Sequence, residues 1–220
     1  MQRYDNTYFY TPILPKDRLN AAIDLANFGH KGIYDKSGVA YILHPVNVML
    51  QFSDELDMSV AIMHDLLEDV SWIEPNMIED MFGAEIFDAL MSVTRKRKPK
   101  FNVDENYMDF IRRCSLHHRG RRIKLMDIRD NRRPERYNPT LKGLEGRYVK
   151  AQAFLVDAMK DGSLSDVEFL HQKNLIGYDE YRTLLGQHKF VDVDKVAPAS
   201  SWELVKAWPH SHKEQQCPNT

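Results

Sequence analysis

Apolar residues recur at helical spacing along most of this chain, and no stretch alternates like a strand for more than a few residues. Leu19, Ala22, Ile23, Ala26 and Phe28 form a stripe that predicts a helix over 17–30, bracketed at its end by Gly29 and Gly32. A loop over 31–39 follows, with turn chemistry at Ser37-Gly38, and Pro45 then starts a second helix running to about 52 with His44 at its N-terminus. The pattern predicts a central helix over 58–67, further helices over 72–82 and 85–94, and a basic loop over 95–100. Helices over 104–117, 121–133 and 141–159 come next, with Gly120 as a breaker and Pro134 and Pro139 marking a loop. A boundary near 160–163 precedes two short helices over 165–176 and 179–187 that turn at Gly177. The expectation is all-α: a main domain over 1–160, a helical hairpin over 161–190 and a loosely held tail over 191–220.

Composition narrows the classes. The chain has 220 residues, 43% of them hydrophobic, with ten Phe and ten Tyr, enough for a sizeable core. A formal net charge of −2 argues against a general nucleic-acid binder. That average hides a block over 95–136 with fifteen Lys/Arg against six Asp/Glu, which is either a draw for a phosphorylated ligand or a solvated face. Cys114 and Cys217 lie far apart without metal-binding spacing, which suggests a reducing compartment. No apolar run reaches membrane-spanning length and no signal core follows the first residues, so a soluble, cytoplasmic protein is expected. Oligomeric state is left open.

The segment 61–70, Ala-Ile-Met-His-Asp-Leu-Leu-Glu-Asp-Val, concentrates the candidate chemistry. As one helix it would set His64 and Glu68 a turn apart on one face, and Asp65 and Asp69 on the next. So much charge in an apolar segment calls for a cation or a water-filled cleft. Asp127 lies among Ile123, Leu125, Met126 and Ile128, where a bare carboxylate would be costly. Two imidazoles (His44, His64) and two carboxylates (Asp65, Asp127) suit a borderline-to-hard divalent ion such as Mn²⁺, Fe²⁺ or Mg²⁺. Such an ion can polarise a phosphoryl oxygen and acidify water.

The order His44, His64-Asp65, Asp127 resembles the metal signature of the HD-domain phosphohydrolases. The local wording is closer still to the RelA/SpoT hydrolase domain and the small stand-alone alarmone hydrolases. Matching pieces are Lys36-Ser37-Gly38, Tyr41-Ile42, His44-Pro45, His64-Asp65-Leu-Leu-Glu68-Asp69, Phe82-Gly83-Ala84, Val93-Thr94 and Lys124-Leu125-Met126-Asp127 with Asn131. They cover roughly 18–159. The resemblance implies an all-helical HD bundle and metal-dependent hydrolysis of a phosphorylated nucleotide, typically with Mn²⁺ on (p)ppGpp at the 3′-pyrophosphate. It implies His44, His64, Asp65 and Asp127 as ligands, Glu68 and Asp69 as the catalytic acidic pair, and Lys36, Asn131 and Arg147 as substrate-binding residues. Arginines and lysines of 95–100, and Arg132, would add positive charge for the phosphates.

There are departures. Asp35 stands where the family has an arginine that stacks on guanine, and as a carboxylate it could only accept from a base edge. Gly32-Ile33 replaces a Gly-Gln pair, and Ala151 stands where a tyrosine is expected. These alter the base-reading loop and leave the reaction centre intact. Related readings are phosphate removal from another nucleotide such as NADPH, and a sensing module with a vestigial centre. His30, His117 and His118 receive no role, and Trp72, Trp202 and Trp208 read as packing residues.

Overall fold

The computed structural model describes residues 12–133 and 142–187. After a 3-10 turn at Pro15–Asp17 come α1 (Arg18–Gly29), α2 (Leu43–Met49), α3 (Glu55–Met63), α4 (Leu66–Asp69), α5 (Pro75–Phe82) and α6 (Ala84–Val93). Then follow α7 (Tyr107–Ser115), α8 (His118–Asn131), α9 (Lys142–Lys160), α10 (Leu164–Gln172) and α11 (Tyr178–Gln187). Among the described residues the only β pairing is one isolated bridge between Tyr34 and Ala40, so the all-α expectation holds. The tail, Trp202, Trp208 and the loop with Pro134 and Pro139 lie outside these residues.

Two helices organise the bundle. In α3, Val60, Ala61, Ile62 and Met63 are all fully buried, as befits a helix apolar on every side with neighbours on every side. It packs against α1, α2, α6 and α8. Asp54 caps it, accepting from the Asp57 N–H at 3.0 Å. The second organiser, α8, touches α2, α3, α6, α7, α9 and α10.

Gly120 is not a breaker, contrary to expectation. It lies inside α8, buried, and any Cβ there would run into the Ser92 side chain of α6. The residue permits a close approach of two helices, and the helix starts at His118 because the His117 ring accepts from the Gly120 N–H at 3.1 Å. Gly83 does mark a junction: at φ +83° it joins α5 to α6 in a conformation open to glycine.

The predicted central helix is corrected as well. Residues 61–70 form two pieces: α3 stops at Met63, His64 and Asp65 make a turn, and α4 resumes at Leu66. The His64 ring donates from Nδ1 to the Ala61 carbonyl at 2.8 Å, and the ladder restarts with Glu68 and Asp69 N–H on the Asp65 carbonyl. His64 and Glu68 therefore do not lie in one unbroken helix. The start expected at 72 falls instead at Pro75, so Trp72 precedes the helix, half exposed and edge-on to Phe28 at 5.5 Å.

Toward the C-terminus, Ser163 caps α10 in a capping box with Asp166. Asp166 is fully buried between Arg121 and Arg122 of α8, with Arg122 Nε at 2.7 Å. Phe169 stacks on Phe52 at 5.9 Å, so α10 shares the core of the preceding helices.

Candidate active site

Four side chains from three segments meet where α2, the α3–α4 turn and α8 converge. His44 is in the first turn of α2, His64 and Asp65 form the turn, and Asp127 sits in the second half of α8. His44 Nε2 is 3.0 Å from Asp127 Oδ1 and 3.6 Å from Asp65 Oδ2. His64 Nε2 is 3.0 Å from Asp65 Oδ2 and 3.5 Å from Asp127 Oδ1. Ligand atoms about 2.1 Å from a common ion stand about 3.0–3.4 Å apart, so these spacings suit a shared cation, with the ligand atoms of His44, His64 and Asp65 all within 4.8 Å of one another. Asp65 is half-buried and the other three are buried.

Hydrogen bonds at the far side of each ring fix which nitrogen faces the carboxylates. The His44 Nδ1 donates to Asp130 Oδ2 at 2.7 Å, and the His64 Nδ1 donates to the Ala61 carbonyl at 2.8 Å. Carboxylates and carbonyls only accept, so Nδ1 carries a proton in both rings and Nε2 is turned to the carboxylates, where it can hold a second proton or a cation. The buried His64 Nε2 has no hydrogen-bond partner among the described residues. Bare lone pairs converging on carboxylate oxygens repel unless a proton or a cation lies between them.

The electrostatics say the same. Burial opposes charge on both histidines, but the neighbouring carboxylates outweigh it and raise both above the usual imidazole range. Burial would push Asp127 up, yet Lys124, with Nζ 2.6 Å from Oδ2, and the two rings hold it well below the carboxylate range. Asp65 is lowered likewise, against its burial, chiefly by His64. A metal arriving here displaces protons, so its affinity rises with pH.

The acidic pair next door is tuned the other way. Desolvation by the surrounding protein, followed by the charges of Asp65 and Asp69, pushes Glu68 up to about 7, although its carboxyl opens onto a cleft. Lys124 and the Arg95 N–H, which donates to Glu68 Oε1 at 2.7 Å, hold that rise in check. Asp69 is pushed up to about 6 by desolvation and by Asp65. Both therefore exchange protons near neutrality.

Two cavities meet at this centre. The larger, about 480 Å³, is walled by the 33–37 loop, Arg132, Arg133 and α9 residues including Tyr148. The smaller, about 220 Å³, holds Arg95, Arg97, Lys124 and Arg147 opposite Asp65, Glu68, Asp69 and Asp127. They share Tyr41, Asp69, Asn131 and Tyr148. Glu105 braces the loop that carries Arg95 and Arg97, since Arg113 grips it at 2.8 Å and it accepts from the Lys96 N–H.

The structure thus gathers all of the predicted site residues around one cleft. Lys36 lines the large cavity and Arg147 the small one; Asn131 lies between them, its Nδ2 donating to Asp127 Oδ1 at 2.6 Å. Asp35 is not free to read a base with both oxygens, because its Oδ1 already accepts from the Ser37 and Val39 N–H at 2.8 and 3.0 Å. Three residues escaped the sequence reading. Asp130 orients His44, Lys124 holds Asp127, and Tyr41 donates to Asp65 Oδ2 at 2.6 Å. Nothing in the local sequence separated Asp130 from a surface acid on α8; Tyr41 and Lys124 stood inside the matching motifs without a role. His30, given no role, is buried with its ring 5.0 Å from that of Tyr41.

No family model matches this chain. Over 121 residues, 52% of the chain, it is 30% identical to a guanosine-3′,5′-bis(diphosphate) 3′-pyrophosphohydrolase of Aquifex aeolicus (strain VF5). The match spans 17% of that protein's length. Among solved structures the chain is similar to a metazoan ortholog of SpoT described as hydrolysing ppGpp and playing a role in starvation responses. That likeness has a TM-score of 0.53 at 20% identity and covers 74% of this chain and 99% of the other. The described residues, with the turn between α3 and α4 at their centre, have the fold of that SpoT ortholog.

Proposed function

We propose that the protein is a divalent-metal-dependent phosphohydrolase of phosphorylated nucleotides, and that its substrate is (p)ppGpp, cut at the 3′-pyrophosphate. The observation that carries this reading is the pair of imidazole Nε2 atoms, each within 3.0–3.6 Å of one Asp65 oxygen and one Asp127 oxygen, opening onto cavities of different character. The likeness to the Aquifex aeolicus pyrophosphohydrolase and to the ppGpp-hydrolysing SpoT ortholog supports it. His44, His64, Asp65 and Asp127 would hold the ion, with Mn²⁺ the proposed occupant. Bound there, it would polarise the phosphoryl group and acidify water.

The chain's own residues do the rest. Glu68, near 7, and Asp69, near 6, are poised to accept the proton of an attacking water. A bond forms from the water oxygen to the phosphorus on O3′, the P–O3′ bond breaks, and the departing O3′ takes up a proton. The products are pyrophosphate and a nucleoside 5′-di- or triphosphate. Arg95, Lys124 and Arg147 line the smaller cavity and offset the charge that builds on the pyrophosphate. The nucleoside lies in the larger cavity, with Lys36 beside it and Asn131 at the threshold. A nucleotide substrate of this kind is met in the cytoplasm, the compartment proposed here.

The test is a panel of ppGpp, NADPH and ordinary nucleotides with purified protein and Mn²⁺. Pyrophosphate from ppGpp, halted by a chelator, is expected. Phosphate from NADPH with nothing from ppGpp would overturn the assignment. Glu68→Gln should lose turnover while still binding nucleotide; unchanged output would mark a sensor rather than an enzyme.

A further inference from the structure

Two buried donors beside the smaller cavity, the Tyr107 hydroxyl and the Arg147 Nε, have no hydrogen-bond partner among the described residues. Tyr107, the first residue of α7, is 9% exposed, and its hydroxyl makes no hydrogen bond to any described protein group. Arg147 Nε is buried on the same cavity, likewise without an acceptor. A buried donor left in this state costs stability, and such a cost persists in proteins where a ligand supplies the missing partner.

The surroundings say what kind of partner. The Tyr107 ring lies between two guanidinium groups, Arg147 at 4.3 Å and Arg95 at 5.8 Å from its centroid, so it sets both along the cavity wall. Lys124 Nζ spends one donor on Asp127 Oδ2 and has three in all. Burial pushes the phenol up to about 12, so the hydroxyl stays protonated and donates at neutral pH. Guanidinium and ammonium present donors only, and the hydroxyl can donate beside them, so their shared complement is an anion rich in acceptors. The 220 Å³ of space is several times the share of a single water, about 30 Å³, and admits a tetrahedral oxyanion.

We propose that the Tyr107 hydroxyl is a substrate-binding group, donating a hydrogen bond to a phosphoryl oxygen of the diphosphate that is cut, alongside Arg147 and Lys124. Its ring and its hydroxyl then have separable tasks: the ring places two arginines, and the hydroxyl reads the anion. The identity of that anion rests on the phosphohydrolase reading, but the test does not.

The experiment compares wild type and Tyr107→Phe, which keeps the ring and removes only the oxygen. Inorganic pyrophosphate is titrated calorimetrically into both proteins at equal, measured manganese load. Losing one donor to a charged acceptor should weaken pyrophosphate binding by about 10- to 100-fold. The melting temperature without pyrophosphate should hold or rise, because a hydroxyl without a partner is removed. Equal pyrophosphate affinity in the two proteins, no binding by wild type, or a melting temperature several degrees lower in the variant would each overturn the proposal. Absence of ppGpp turnover by wild type, with the affinity difference intact, would instead overturn the hydrolase reading alone.

Discussion

Two clusters of buried charge lie on the same helix and could hardly differ more. In the first half of α8, Arg121 and Arg122 close around the fully buried Asp166 of α10, assisted by the hydroxyls of Ser163 and Ser165. There charge meets countercharge, and apart from the buried Arg121 Nε the donors find acceptors. In the second half, Asp127 and Asp130 face two imidazoles whose Nε2 lone pairs point at further acceptors. The first cluster carries its own countercharge as folded, whereas the second gathers acceptors that suit a cation. Buried charge alone therefore does not mark a functional site; an excess of acceptors over donors does.

The widest gap between the clusters should appear in Asp65→Asn. The change keeps the shape of the side chain and removes a proposed ligand. Turnover should fall about a thousandfold or more. Manganese at 100 times its dissociation constant should raise the wild-type melting temperature by about 5–10 °C, and the variant should show no such rise. A manganese-induced rise that survives in Asp65→Asn would erase the distinction drawn here.

Asp166→Ala should do the reverse. It leaves two guanidinium groups facing each other, and denaturant melts should show a loss of about 3–5 kcal/mol. The manganese response of the folded fraction should be unaffected. An intermediate effect is expected from Asp130→Asn, which loosens the grip on the His44 ring. Manganese affinity measured by titration should drop about 10- to 100-fold with little change in stability.

The smallest effect carries the clearest sign. Asp166 is lowered in the fold, so its contribution is complete above the unfolded value of about 3.9 and is lost as pH falls through the folded one. Glu68 is raised to about 7 against about 4.3 unfolded, so its contribution is present at low pH and is lost as pH climbs between those values. In metal-free protein, the stability of Asp166→Asn relative to wild type should improve as pH drops below 4. That of Glu68→Gln should improve as pH rises from 5 to 8. Identical pH trends for both variants would contradict the opposed tuning of the two acids.

Much of this was legible in the chain, and the failures have common causes. Helix existence followed from stripes such as Leu19, Ala22, Ile23 and Ala26, because burial of one face imposes a period, and from the stop at Gly83, whereas the helix expected to reach 176 ends at Gln172. The break at His64-Asp65 was not, since it depends on a ring nitrogen reaching the Ala61 carbonyl, a local choice without a periodic trace. Gly120 was misread because a glycine that makes room for Ser92 looks like one that ends a helix. The His44, His64, Asp65 and Asp127 cluster was visible as residue types in an order. Asp130 was not, because its partner lies 86 positions away and only the fold brings them together.

The shared wall of Tyr41, Asp69, Asn131 and Tyr148 has a last consequence. A molecule lodged in both chambers is tethered at two points, and each hold keeps the other half at high local concentration. Under the proposed reaction, severing the bond at the wall would dissolve that mutual advantage at once. Each fragment would be left with the grip of one room only, so cleavage itself would favour departure.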